Sequence, residues 1–146
     1  MDGAKKVVVM VEDVEAARMA LCWALHNILR LGDVLTLLHV FPCSRPGTRK
    51  KLRLLRLQGY QLALSFRELC SGFTNMSMEI MVAEGDRKGV KIASMVREMG
   101  TYALVVGLHD HSFLYRSAMN HNNISATFSC RVHAIRQPSP HPLPSS

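Results

Sequence analysis

Ala103-Leu104-Val105-Val106-Gly107-Leu108-His109-Asp110 is an apolar run that breaks at a glycine into a polar loop. Consecutive apolar residues without alternation read as a strand buried on both faces, which a parallel sheet covered by helices on each side provides. This strand starts near Tyr102, and four further stretches share its β character: residues 6–11, 34–40, 78–83 and 131–136. Helix-length segments separate them. Val14, Ala17, Leu21, Ala24, Ile28 and Leu31 recur at spacings of three and four and share one helical face. Asp13 is placed to cap this helix, Glu15 suits the positive end of its dipole, and Gly32 is a stop.

A second helix carries Leu52, Leu55, Gly59, Leu62, Phe66 and Leu69 on one stripe and Arg49, Arg53 and Arg56 on another. Glycine within an apolar stripe implies close approach of another element. A third helix runs from Asp86, a good cap, through Val90, Ala93 and Val96 to Gly100, and a fourth is expected between residues 113 and 128. Met10, Met78 and Met81 suit core filling. Alternation of this kind predicts a doubly wound, Rossmann-like α/β domain with a five-stranded parallel sheet and helices on both faces, for which we take the order 3-2-1-4-5. Ligands of such sheets bind outside the strand carboxyl ends at the switch point. Here that crevice lies between Val11-Glu12-Asp13 and Val106-Gly107-Leu108.

At 146 residues and 48% apolar content, the chain suits one domain over residues 1–137, since a domain of this size buries roughly 70% of its unfolded surface. The tail from Pro138 to Ser146 has four prolines in nine residues, too many to pair or coil, and is expected to be disordered. No apolar run approaches the ~20 residues of a membrane span. The first residues lack a signal-peptide core, so the cytoplasm or the nucleus is the expected setting. Cys22, Cys43, Cys70 and Cys130 are widely spaced with no Cys-x-x-Cys pair, which speaks against a zinc ribbon and for reduced thiols. The net charge is +7, but six of the eighteen basic residues (Arg45, Arg49, Lys50, Lys51, Arg53, Arg56) occupy one acid-free window, leaving twelve against eleven acidic residues elsewhere. A local excess of this kind does not predict nucleic-acid binding; it marks the segment from Thr48 to Arg56 as a solvated basic face or a docking site for an anionic surface or acidic partner.

Taken in order, Val7-Val8-Val9-Met10-Val11-Glu12-Asp13-Val14, then Ala20-Leu21-Cys22-Trp23-Ala24-Leu25, Leu37-Leu38-His39-Val40 and Ala103-Leu104-Val105-Val106-Gly107 resemble the universal stress protein family, within the adenine-nucleotide α-hydrolase-like superfamily, and its plant members in particular. The resemblance implies ATP or AMP as the ligand class. Glu12 stands where the family places an aspartate near the nucleoside, and Val40 where a backbone group meets the adenine. In nucleotide-binding members the fourth strand is followed by Gly-x-x-Gly, nine residues, and Gly-Ser or Gly-Thr. This chain has Gly107, but then Asp110, Asn120 and His121. Asp110 adds a side chain and a negative charge where backbone amides should meet phosphate. Two like charges ~4 Å apart repel by about 4 kcal/mol at an effective dielectric of 20, or about three decades of affinity. Glu12 and Asp13 on the opposite lip add to this unless a metal ion or Arg116 offsets them, so weak nucleotide binding is expected.

His109, Asp110, His111 and His121 do not have the spacing of a metal cluster and read as a polar loop. Ser112 lacks a Gly-x-Ser-x-Gly elbow, so no nucleophile is identified and catalysis is not expected. The resemblance also implies a homodimer through the last strand, with Arg131, His133 and Ile135 on one face and Val132 and Ala134 on the other. Its charged edge discourages pairing, and protonation of His133 below about 6.5 is expected to weaken the dimer. Three readings follow: a non-catalytic regulatory or interaction module with a degenerate nucleotide site, an ATP- or AMP-binding switch with slow hydrolysis, and a docking module using the basic helix.

Overall fold

A sheet whose strands are buried on both faces needs two cores. The computed structural model describes residues 4–42, 49–73, 76–109 and 128–136. In chain order the elements are β1 (Lys6–Met10), α1 (Glu15–Asn27), β2 (Val34–Phe41), α2 (Arg49–Glu68), β3 (Ser77–Glu84), α3 (Lys88–Glu98), β4 (Ala103–Leu108) and β5 (Arg131–Arg136). Every strand pairing is parallel and the order across the sheet is β3-β2-β1-β4-β5. Val7, Val9, Leu35, Leu37 and Val105 face α1 and α2 in one core, while Val8, Met10, Leu38, Val40, Leu104 and Val106 face α3 and Phe128 in the other. Apart from Phe128, the segment expected to form a fourth helix lies outside the described residues, as does the proline-rich tail.

The helix ends and one core position differ from those expected. Asp13 does not cap α1: the N-cap is Val14, without a side-chain bond, and the Asp13 carboxylate accepts from Arg18 at 2.9 Å. Nor does Gly32 end this helix. It ends at Asn27, where the His26 and Asn27 side chains bond the carbonyls of Cys22 and Trp23 and compete with the backbone ladder. Leu31 is therefore exposed, and Gly32 supplies a positive φ of 89° in the turn before β2. In α3 the N-cap is Arg87 rather than Asp86, and Ile92, not Val90, enters the core. Starting the helix one residue later makes Lys88 its first residue.

Free thiols occur at Cys22, Cys70 and Cys130 among the described residues. Burial, helped by the neighbouring Cys22, pushes the Cys70 thiol up to about 11, so little thiolate forms at neutral pH. On β5 the His133 ring sits 5.0 Å from that of Trp23. Burial, and secondarily Arg131, hold His133 below its ordinary value. A histidine with a lowered folded pKa binds its proton more readily when unfolded. Stability is accordingly fullest above the ordinary value near 6.5 and falls as pH drops below it. Urea midpoints measured across this range should show that decline in the unaltered protein and a flatter profile in His133→Gln.

Candidate functional site

After Met10 the chain stays tied to β2 for one more residue, because the Val11 amide donates to the Leu38 carbonyl at 2.8 Å. Glu12 follows at the carboxyl mouth of the sheet and is only 8% exposed. Both of its carboxylate oxygens are engaged. Lys88 Nζ donates to Oε2 at 2.6 Å and His109 Nε2 donates to Oε1 at 3.2 Å. Three chain segments therefore meet in one cluster: the exit of β1, the first residue of α3 and the first residue past β4. A buried carboxylate is tolerated only when paired and hydrogen-bonded, and this one is. A ribose hydroxyl approaching Glu12 meets a largely buried carboxylate already held by two charge-assisted bonds.

This arrangement revises the electrostatics expected from the sequence. Glu12 and Asp13 are not bare anions on the lip, since Lys88 and His109 hold the first and Arg18 the second. The negative charge at this lip is therefore compensated within the fold. Sequence reasoning missed Lys88, which lies seventy-six residues from Glu12. One signal was present: α3 has no acid in its first turn, and a cation at that positive end of the dipole is misplaced unless an anion faces it.

Gly107 is buried inside β4, and the register Val9 to Val105 brings it level with Val11. A Cβ at this position would collide with the backbone carbonyl of Ala16 and the amide of Ala17. Its glycine thus lets the first turn of α1 lie directly on β4. Val40 pairs in register with Ala83, and its side chain is buried in the α3-side core. Asp110, Asn120 and His121, the remaining candidate ligand residues, lie outside the described residues.

Beside the mouth, on the α2 side, a cavity of about 480 Å³ is lined by Asp13, His39, Phe41, Gln58, Gly59 and Leu62, among others. His39 Nδ1 donates to the Val11 carbonyl at 2.8 Å, so its ring is fixed. That ring explains the glycine in the α2 stripe: a Cβ at Gly59 would stand 2.6 Å from His39 Cδ2 and 3.0 Å from Val82 Cγ1. Gly59→Ala should cost about 1–2 kcal/mol in chemical denaturation, the overpacking exceeding the gain in helix propensity. In a His39→Ala background the same change should become neutral or stabilising. Among the described residues no group of three His, Cys, Asp or Glu is arranged to hold a metal ion, and no helix is long and apolar enough to cross a membrane.

The sequence profile of the universal stress protein family matches residues 3–136. Universal stress protein UspA from Lactobacillus plantarum superposes with a TM-score of 0.67 at 16% identity, covering 93% of this chain and 100% of its own. A universal stress protein family protein from Arabidopsis thaliana, solved with AMP bound, gives 0.64 at 23% identity, covering 92% and 93%. A universal stress protein in complex with cAMP gives 0.55 at 12%, covering 92% and 98%. No curated protein sequence matches significantly. These structural identities support the fold alone, whereas the profile spans nearly the whole chain: it belongs to the universal stress protein family.

Proposed function

We propose that the protein is a non-catalytic regulatory or interaction module of the stress response, acting in the cytoplasm or nucleus, whose nucleotide crevice is closed by its own side chains. The observation that carries this reading is the Glu12 carboxylate, held at both oxygens by Lys88 and His109 in the place where the family pattern puts a nucleoside contact. Gly107 points the same way, because its lack of a side chain is accounted for by helix packing without any phosphate. The sequence adds Asp110, Asn120 and His121 in place of two glycines and a hydroxyl residue. Native mass spectrometry of the purified protein should give the mass of the bare chain. The second reading, an ATP- or AMP-binding switch, draws on the neighbours solved with AMP and with cAMP. A stoichiometric adenine-nucleotide adduct would favour it.

Assembly belongs to the same proposal. β5 is the last strand of the sheet, with β4 as its one neighbour among the described strands, so an edge is left for a second copy. Ile135 and His133 face the α1 side, and Val132 the α3 side. Light scattering at pH 8 should report a dimer that weakens in acid, at a pH below 6.5 because His133 is held neutral by its burial. A monomer at all concentrations would remove this part of the proposal.

A further inference from the structure

α2 has a second apolar stripe that the core does not use. The helix packs on β2 and β3 through Gly59, Ala63 and Phe66. On its outward side Leu54 and Leu57 are each 53% exposed and Tyr60 is 46% exposed. Lys50 stands one turn before Leu54, and Arg53 one turn before Leu57, so cation and apolar side chain sit side by side along the surface. Arg49 is likewise exposed, and no acid occurs on the helix before Glu68. Arg56 is different: its guanidinium donates to the Val82 carbonyl at 3.1 Å, lies 5.6 Å from the centre of the Phe41 ring and approaches Glu84 at 3.9 Å. It clasps the helix to the sheet and is not part of the outer face.

We propose that the outward face of α2, built from Arg49, Lys50, Arg53, Leu54, Leu57 and Tyr60, docks on an anionic lipid bilayer. Charge complementarity selects an anionic occupant, and shape selects among anionic occupants. A peptide or partner helix is held by a groove, whereas among the described residues this face is the outward side of a single helix. A bilayer accepts a convex face: long cationic side chains reach the headgroups, leucines enter the acyl boundary, and tyrosine suits the interface between them. The negative surface of a cytoplasmic leaflet matches this requirement.

The test is sedimentation of the full chain with phosphatidylcholine vesicles, with and without about one-third phosphatidylserine. Binding should require phosphatidylserine, persist at about 0.15 M salt and decline at higher ionic strength. Arg49→Glu/Lys50→Glu/Arg53→Glu should lose about 100-fold or more in partitioning, at roughly fivefold per cation removed. Leu54→Ser/Leu57→Ser should lose about tenfold with all charges retained, which separates apolar insertion from adsorption of a cationic surface. Both variants should keep the thermal midpoint of the unaltered protein, since none of these residues packs in the core. Absence of binding to anionic vesicles, equal binding to neutral ones, or full binding by either variant overturns the proposal. So does selective capture of an acidic polypeptide such as polyglutamate by a protein that ignores the vesicles.

Discussion

Gly107→Ala is expected to destabilise the protein by about 3 kcal/mol or more, lowering the thermal midpoint by about 10 °C. The collision is between the new methyl and the backbone of Ala16 and Ala17, and no rotamer change can relieve it. Relief requires α1 to lift from β4, yet this helix also packs on β1 and β5 and places Ala17, Ala20, Leu21 and Ala24 in the core. Interiors of native density transmit such a shift rather than absorb it. Denaturant midpoints should fall with little change in slope, because one methyl group hardly alters the surface exposed on unfolding. A glycine needed only for phosphate would behave otherwise, costing ligand affinity with little loss of stability. An unchanged midpoint in Gly107→Ala would therefore overturn the packing role.

Lys88→Met should give the second large effect, about 2 kcal/mol of lost stability. The substitution leaves the buried Glu12 carboxylate without its 2.6 Å partner. Removing one member of a fully buried pair costs about 3–5 kcal/mol; the smaller figure applies because the Lys88 side chain retains contact with solvent. His109 at 3.2 Å compensates in part. In the double variant Glu12→Gln/Lys88→Met no charge is stranded, and most of the loss should return. The coupling energy of the cycle, about 1–2 kcal/mol, measures the pair. Additive single effects would mean that the two side chains do not act together.

Most of the fold was legible because it rests on patterns that are local in sequence. The apolar run from Val7 to Met10 suits a strand with a core on each side, its alternation with helical segments points to a parallel sheet, and the order expected for it is the one observed. Gly59 was legible as a close approach, although the identity of its neighbour, His39, was not. Helix ends were less so. Asp13 and Asp86 have the chemistry of caps, but Arg18 recruits the first, and the second lies one residue too early. Val90 satisfied the spacing of the α3 stripe yet points to solvent, since Ile92 better centres the face toward the sheet. Glu12 was found by its place after β1, whereas its partners come from residues 88 and 109 and depend on the finished fold. Gly107 was singled out for a phosphate, while its contact with Ala16 and Ala17 was not legible, because a phosphate loop and a close helix approach impose the same demand for a missing Cβ.

If, as we propose, the crevice at Glu12 is filled by the protein itself, adenine nucleotides should find no tight site there. Isothermal titration calorimetry of the unaltered protein with AMP, and with ATP and magnesium, addresses this most directly. With Glu12 paired to Lys88 and His109, and aspartate at position 110 where the family pattern has glycine, neither nucleotide should bind more tightly than about millimolar, some 4 kcal/mol of binding free energy at most. A micromolar dissociation constant for either one, with one nucleotide per chain, would contradict the account.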